Sequence, residues 1–186
     1  MSEQYTFSNP EGVYFITCTV TDWIDLFTRP DYKMELIENL KYCQRNKGLV
    51  IHAWVLMHSH FHAIISVRET TTKGGLSGIV RDLKKHTSKR FIEMIVENSQ
   101  ESRKEWLLNR FELAGKYLER IQNYKVWQDG SHPEELISNK FIQQKLDYIH
   151  NNPVEALIVS HPEEYIYSSA IDYAGGKGLI DVELLD

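Results

Sequence analysis

AWVLMHSHFHAII (residues 53–65) is the stretch on which the reading of this chain turns. It joins LVIHAWVL (49–56) to HFHAIISV (60–67), two runs dense in β-branched and aromatic residues that read as strands. Met57-His58-Ser59 is short enough to link them as a hairpin, although it lacks an Asn-Gly type of turn signal. Side chains alternate across a strand, so His60 and His62 share one face and Phe61 points to the other. Two neutral imidazoles one strand repeat apart can hold one divalent cation. His58 joins that face if the strand reaches back to it. An isolated His-x-His pair is, however, more often the solvated side of an edge strand.

Upstream, VYFITCTV (13–20) reads as a strand, and a helix follows from about Asp31 to Asn46 with Pro30 near its start. Downstream, Gly74-Gly75 opens a helix from about Ser77 to Val96, which the polar stretch ENSQES ends. A third helical segment covers about Arg103 to Ile121, and YKVWQ (124–128) reads as a further short strand. The order strand, helix, strand, strand, helix, strand predicts an α+β, ferredoxin-like (split βαβ) antiparallel sheet with helices on one face and additional C-terminal helices. The other face is left for ligands.

Ser131-His132-Pro133-Glu134 resembles a helix start, with Ser131 as N-cap. Ser138 caps the next helix, which Asn152-Pro153 should end, because the residue before proline avoids the α region. The Tyr- and Gly-rich tail YSSAIDYAGGKG (167–178) should lie over the surface.

The 186 residues fit a single domain over 1–186, with 97–122 as a helical insertion and 154–186 as a C-terminal tail. Apolar residues make up 42% and charged residues 25%, as in globular proteins. No run of 18 apolar residues exists and the N-terminus lacks a basic start and apolar core, so a cytoplasmic protein without a membrane span is expected. The net charge of −5 counts mildly against a nucleic-acid binder, but a local basic face can coexist with an acidic remainder. Cys18 and Cys43 lack metal-ligand spacing and read as buried filler. His52, His86 and His161 stand alone and read as ordinary residues.

Gln144, Tyr148 and Asn152 recur at spacing four and form one stripe of a helix, flanked by Lys145 and Asn151. Ile142, Leu146 and Ile149 form a separate apolar stripe. Tyr148 can therefore present its phenol on the polar side. A tyrosine oxygen can attack a phosphodiester and keep the bond energy as a phosphotyrosine. Taken alone, a tyrosine at a helix end with its hydroxyl in water is the simpler reading.

Together the two signals carry a resemblance. HUH endonucleases have His-hydrophobic-His on a central strand of a ferredoxin-like sheet and a nucleophilic tyrosine on a later helix. The segment 53–65 resembles the corresponding stretch of the REP-associated tyrosine transposases, single-tyrosine relatives of the small insertion-sequence transposases. LDYIHNNPVEALIVSHPEEYIYSSAIDY (146–173) is similar to that family's second hallmark, whose core is Tyr-Ile-x-x-Asn-Pro-Val. The resemblance covers most of the chain. It implies that His60 and His62 bind a divalent metal, Mg²⁺ or Mn²⁺, that Tyr148 is the nucleophile, and that Asn152 is the third ligand. It also implies cleavage and rejoining of single-stranded DNA or DNA hairpins through a 5′-phosphotyrosine. Two departures stand out: His58-Ser59 replaces the family's frequent Pro-Asn or Pro-Glu, and 97–122 is longer and more acidic than in compact members.

Arg81, Lys84, Lys85, Ser88 and Lys89 fall on one helix face, opposite Val80, Leu83, Phe91 and Met94. Beside a phosphodiester site, the basic face is the candidate for phosphate contacts. Trp127, Gln128 and His132 are candidates to stack on or hydrogen-bond an unpaired base, with Trp127 equally readable as core. A non-catalytic module gripping hairpin DNA or RNA is the competing expectation, and monomer and homodimer both remain open.

Overall fold

A computed structural model describes residues 6–68, 74–116 and 124–185. Its centre is a four-stranded antiparallel sheet in the order β2-β3-β1-β4, built from β1 (Tyr14–Thr19), β2 (Leu49–Leu56), β3 (His60–Val67) and β4 (Glu134–Glu135). That is the order of a split βαβ unit. The hairpin between β2 and β3 uses Met57-His58-Ser59 and is closed by Met57 N–H donating to the His60 carbonyl at 2.8 Å.

Helix α1 (Pro30–Lys47) begins with proline in its first turn and ends at Gly48. Gly48 takes φ 72°, a left-handed conformation open to glycine at little cost, and its N–H caps the Cys43 carbonyl. Helix α2 spans Gly75–Glu97 and α3 spans Lys104–Gly115. The part of the expected third helix at 117–121 lies outside the described residues.

The two faces of the sheet bury different residues. Tyr14, Ile16, Cys18, Phe61, Ala63 and Ile65 pack with Leu36, Ile37 and Leu40 of α1 and Ile79, Leu83 and Phe91 of α2 in one large core. Alternate positions, Phe15, Val55 and Ile64, form a second core with Leu146 and Ile149 of the C-terminal helix α4 (Asn139–Glu155). The split unit's helices thus share one face, and α4 takes part of the other. Cys18 and Cys43 are free and buried, as expected.

Several local expectations are corrected. Residues 131–136 do not begin a helix: they lie along the free edge of β1, with Glu134–Glu135 as strand, Thr17 N–H on the Ser131 carbonyl at 2.9 Å and Leu136 N–H on the Val13 carbonyl at 2.8 Å. The unpaired donors and acceptors of an edge strand outweigh the capping pattern. YKVWQ is reduced to one bridge, Val20 with Trp127. Helix α4 passes through Pro153 to Glu155, because near a C-terminus a proline forfeits only one helical bond, and Pro153 is buried there. The tail does not merely cover the surface. Ser168 bridges Val55, Leu56 N–H donates to the Tyr167 carbonyl at 2.9 Å, and Ser168 and Ser169 are fully buried. It seals the outer edge of β2. A helix α5 (Ala170–Tyr173) follows. Among the described residues no helix is long and apolar enough to cross a membrane.

Candidate functional site

On the α4 face, β1 places Thr17 and Thr19 opposite His62 and His60 in antiparallel register. His62 is 4% exposed. Its Nδ1 lies 2.8 Å from Thr17 Oγ1, and its Nε2 lies 3.3 Å from the Tyr148 hydroxyl. If the phenol donates to Nε2, Nδ1 carries the proton and donates to Thr17, so one consistent tautomer satisfies both contacts. The His60 and His62 ring centroids are 4.8 Å apart, and Ser59 Oγ meets His60 Nδ1 at 3.1 Å. Each imidazole therefore has a hydroxyl at Nδ1, the arrangement that orients Nε2 toward a ligand.

Burial pushes the His62 pKa down to about 3, with smaller contributions from His60 and Lys145. Burial also lowers that of His60, with His58 adding to it. Both rings are therefore neutral at pH 7, the form that can ligate a metal.

Tyr148 owes its position to α4. Ser138 Oγ caps the helix by accepting from Phe141 N–H at 3.3 Å. Leu146 and Ile149, both buried, anchor one side against the sheet, which turns Tyr148 toward β3. Its side chain stays reachable, with 43% of the residue exposed. Phe15 stacks on His62 at 5.4 Å and meets the Tyr148 ring edge-on at 5.9 Å, so one β1 residue holds both rings. Lys145, one turn before Tyr148, sits 4.2 Å over the Phe15 ring and pairs with Glu134 of β4 at 2.9 Å. Asn152 is half-buried one turn beyond Tyr148.

The structure thus brings together His60, His62 and Tyr148, with His62 and Tyr148 in contact across 86 positions of sequence. Among the described residues no cluster of three His, Cys, Asp or Glu side chains forms a metal cage. Two neutral histidines, with only the Tyr148 phenol at His62 Nε2, suit a site completed by a neutral amide and by substrate oxygens, which hard divalent cations accept. His58 is exposed in the hairpin turn, where its carbonyl accepts from Phe27 N–H at 2.8 Å.

The candidate nucleic-acid residues divide. Arg81 and Lys89 are strongly exposed, with Asp82 at 3.1 Å and Glu93 at 3.7 Å, and Lys85 is exposed. Lys84 is used internally: its Nζ donates to the Gln128 carbonyl at 2.6 Å and to the Gly130 carbonyl, and burial lowers its pKa. Trp127 is 5% exposed, donates to Thr87 Oγ1 at 2.9 Å and packs between Phe27 and Phe91. It is core and has no free face for a base. Gln128 reaches the Val20 carbonyl at 3.4 Å, and His132 is exposed in a left-handed conformation. Sequence reasoning missed Phe15 and Thr17. Only the β1–β3 register reveals them, although alternation along 13–20 already puts both on one face.

No protein-family model matches the sequence, and neither does any curated protein. Among solved structures, the REP-associated tyrosine transposase bound to a REP hairpin superposes with a TM-score of 0.62 at 21% identity, over 100% of this chain and 94% of that one. This chain therefore shares the fold of that transposase.

Proposed function

We propose that this protein is a metal-dependent, single-tyrosine DNA strand transferase of the REP-associated transposase type, acting on single-stranded DNA at hairpin-associated sites. The observation that carries this reading is the hydroxyl of a partly exposed Tyr148, 3.3 Å from Nε2 of a buried, neutral His62. The similarity in fold to a transposase bound to a DNA hairpin supports it.

His60 and His62 would hold Mg²⁺ or Mn²⁺, with Asn152 as the third protein ligand. When bound, the cation supplies charge that stabilises the developing negative oxygens at phosphorus. His62 Nε2 has a single lone pair, so phenol donation and ligation would exclude each other, and a ligated His62 would leave the Tyr148 hydroxyl without that contact. The Tyr148 oxygen then attacks phosphorus in line with the 3′-oxygen. The Tyr148 O–P bond forms, the P–O3′ bond breaks, and the phenolic proton leaves as the 3′-oxygen gains one. The products are a 5′-phosphotyrosine and a free 3′-hydroxyl. Another 3′-hydroxyl reverses the step and joins a new strand. No nucleotide is consumed, because the covalent intermediate preserves the bond energy. Phe15 and Thr17 hold His62 and the phenol in place, which keeps the attacking geometry pre-organised.

Denaturing gels of labelled single-stranded DNA from the flanks of the gene test this with Mn²⁺ or chelator. A metal-dependent, denaturation-resistant protein–DNA band is expected. Metal-independent binding without a band would instead indicate a binding module.

A further inference from the structure

The loop after β1 carries an indole that the proposed reaction does not use. Trp23 is 60% exposed, the most exposed of the four tryptophans. Its ring meets His60 edge-to-face at 5.4 Å. Asp22 and Trp23 take φ 55° and 56°, a left-handed backbone that is unfavourable for a bulky side chain.

The surroundings hold this conformation from three sides. Trp23 N–H donates to the Val20 carbonyl at 3.0 Å, and Val20 N–H donates to the Ser59 carbonyl at 2.8 Å beside His60. Arg110 of α3 pairs with Asp22. Arg103 pairs with Asp25 at 2.6 Å and donates to Thr28 Oγ1 at 3.1 Å. The helical insertion thus braces the loop that aims Trp23 outward. Packing does not require this, since the same turn would be met more easily by glycine or asparagine.

We propose that Trp23 is a stacking platform for an unpaired base of the DNA strand whose phosphate lies at His60 and Tyr148. It rests on the proposed function, in that the strand is single-stranded DNA. Stacking on an indole needs an unpaired base and tolerates sequence. A ring touching His60 stands within a nucleotide's reach of a phosphate on that histidine. The same contact makes the alternative concrete, that Trp23 only buttresses His60.

The test is tryptophan fluorescence during titration with oligo(dT), and with dT·dA duplex of equal length, on the full chain. Trp54 is fully buried and Trp127 nearly so, which leaves Trp106 as the exposed control. Oligo(dT) should quench wild type and Trp106→Phe, and the quench should vanish in Trp23→Phe. Trp23→Ala should weaken oligo(dT) binding by about 5- to 150-fold and duplex binding much less, with Trp23→Phe recovering most of the loss. An undiminished quench in Trp23→Phe overturns the proposal. So does Trp23→Ala with weakened Mn²⁺ affinity but unchanged oligo(dT) affinity, which is the buttress result. A wild-type protein that quenches through Trp23 yet forms no covalent band sinks the strand-transfer reading and leaves the stacking role standing. A band without Trp23-dependent quenching does the reverse.

Discussion

The same two strands, β1 and β3, present two unlike faces. Toward α1 and α2 they show Tyr14, Ile16, Cys18, Phe61 and Ala63, all buried with apolar neighbours. Toward α4 they show Phe15, Thr17, Thr19, His60 and His62, where Thr17 Oγ1 meets the His62 imidazole and Ser59 Oγ meets that of His60. Neighbouring residues thus serve opposite purposes. The first face lowers the free energy of the fold, and the second keeps polar groups neutral, oriented and reachable. A change of one position along the strand exchanges stability for chemistry.

Phe61 and His62 make that exchange measurable. Phe61→Ala should cost about 3–5 kcal/mol of stability by denaturant unfolding, because it opens a cavity in the large core. His62→Ala should leave the fold largely intact and remove both Mn²⁺ affinity by calorimetry and strand cleavage. If the two variants lost similar amounts of stability and His62→Ala kept its metal affinity, the division between faces would not hold.

A histidine at the outer strand sharpens the contrast through pH. His52 forms the bulge in β2, with Nδ1 at 2.8 Å from the Glu183 carbonyl and Nε2 at 2.8 Å from Ser66 Oγ. Burial lowers its pKa to about 4. The unfolded chain takes up this proton below about pH 6.5, whereas the folded chain resists until about pH 4. Stability should therefore be full above pH 6.5 and fall as pH drops toward 4, with His52 contributing on the order of 3 kcal/mol. Thermal melts of wild type and His52→Gln across this window check it, and parallel pH profiles would remove His52 as a cause.

The smallest effect belongs to α2, whose cations differ in the same way. Lys85→Glu and Lys89→Glu should each flatten the slope of log affinity against log salt by about 0.7 for a single strand. Lys84→Glu should instead lower stability, because it unties the Gln128–Gly130 loop. Equal salt effects at all three positions would place Lys84 on the DNA.

Most of this plan is legible before any coordinates. The strands at 49–56 and 60–67 match β2 and β3 end to end, because dense β-branched and aromatic runs leave little choice. The histidine pair and the tyrosine stripe follow from strand and helix periods. What escapes the sequence is pairing between distant edges. Ser131-His132-Pro133-Glu134 has a helix-start pattern, yet the open edge of β1 draws it into a strand. Trp127 reads equally as core or as a base-stacking aromatic until Thr87 and Phe91 close over it. Lys84 belongs to a periodic basic face, but two carbonyls brought near by a loop claim its ammonium. Phe15 and Thr17 enter the site only through register.

The central claim is that the Tyr148 oxygen is the nucleophile beside His62. Phenylalanine at 148 keeps the ring against Phe15 and deletes that oxygen alone. Single-stranded DNA incubated with protein and Mn²⁺ and run on denaturing gels should give a covalent protein–DNA band with wild type. Tyr148→Phe should give none while folding and binding DNA as before. Peptide mass spectrometry should place the wild-type adduct on Tyr148. A band that persists in Tyr148→Phe, with the adduct mapped to another tyrosine, would contradict the account.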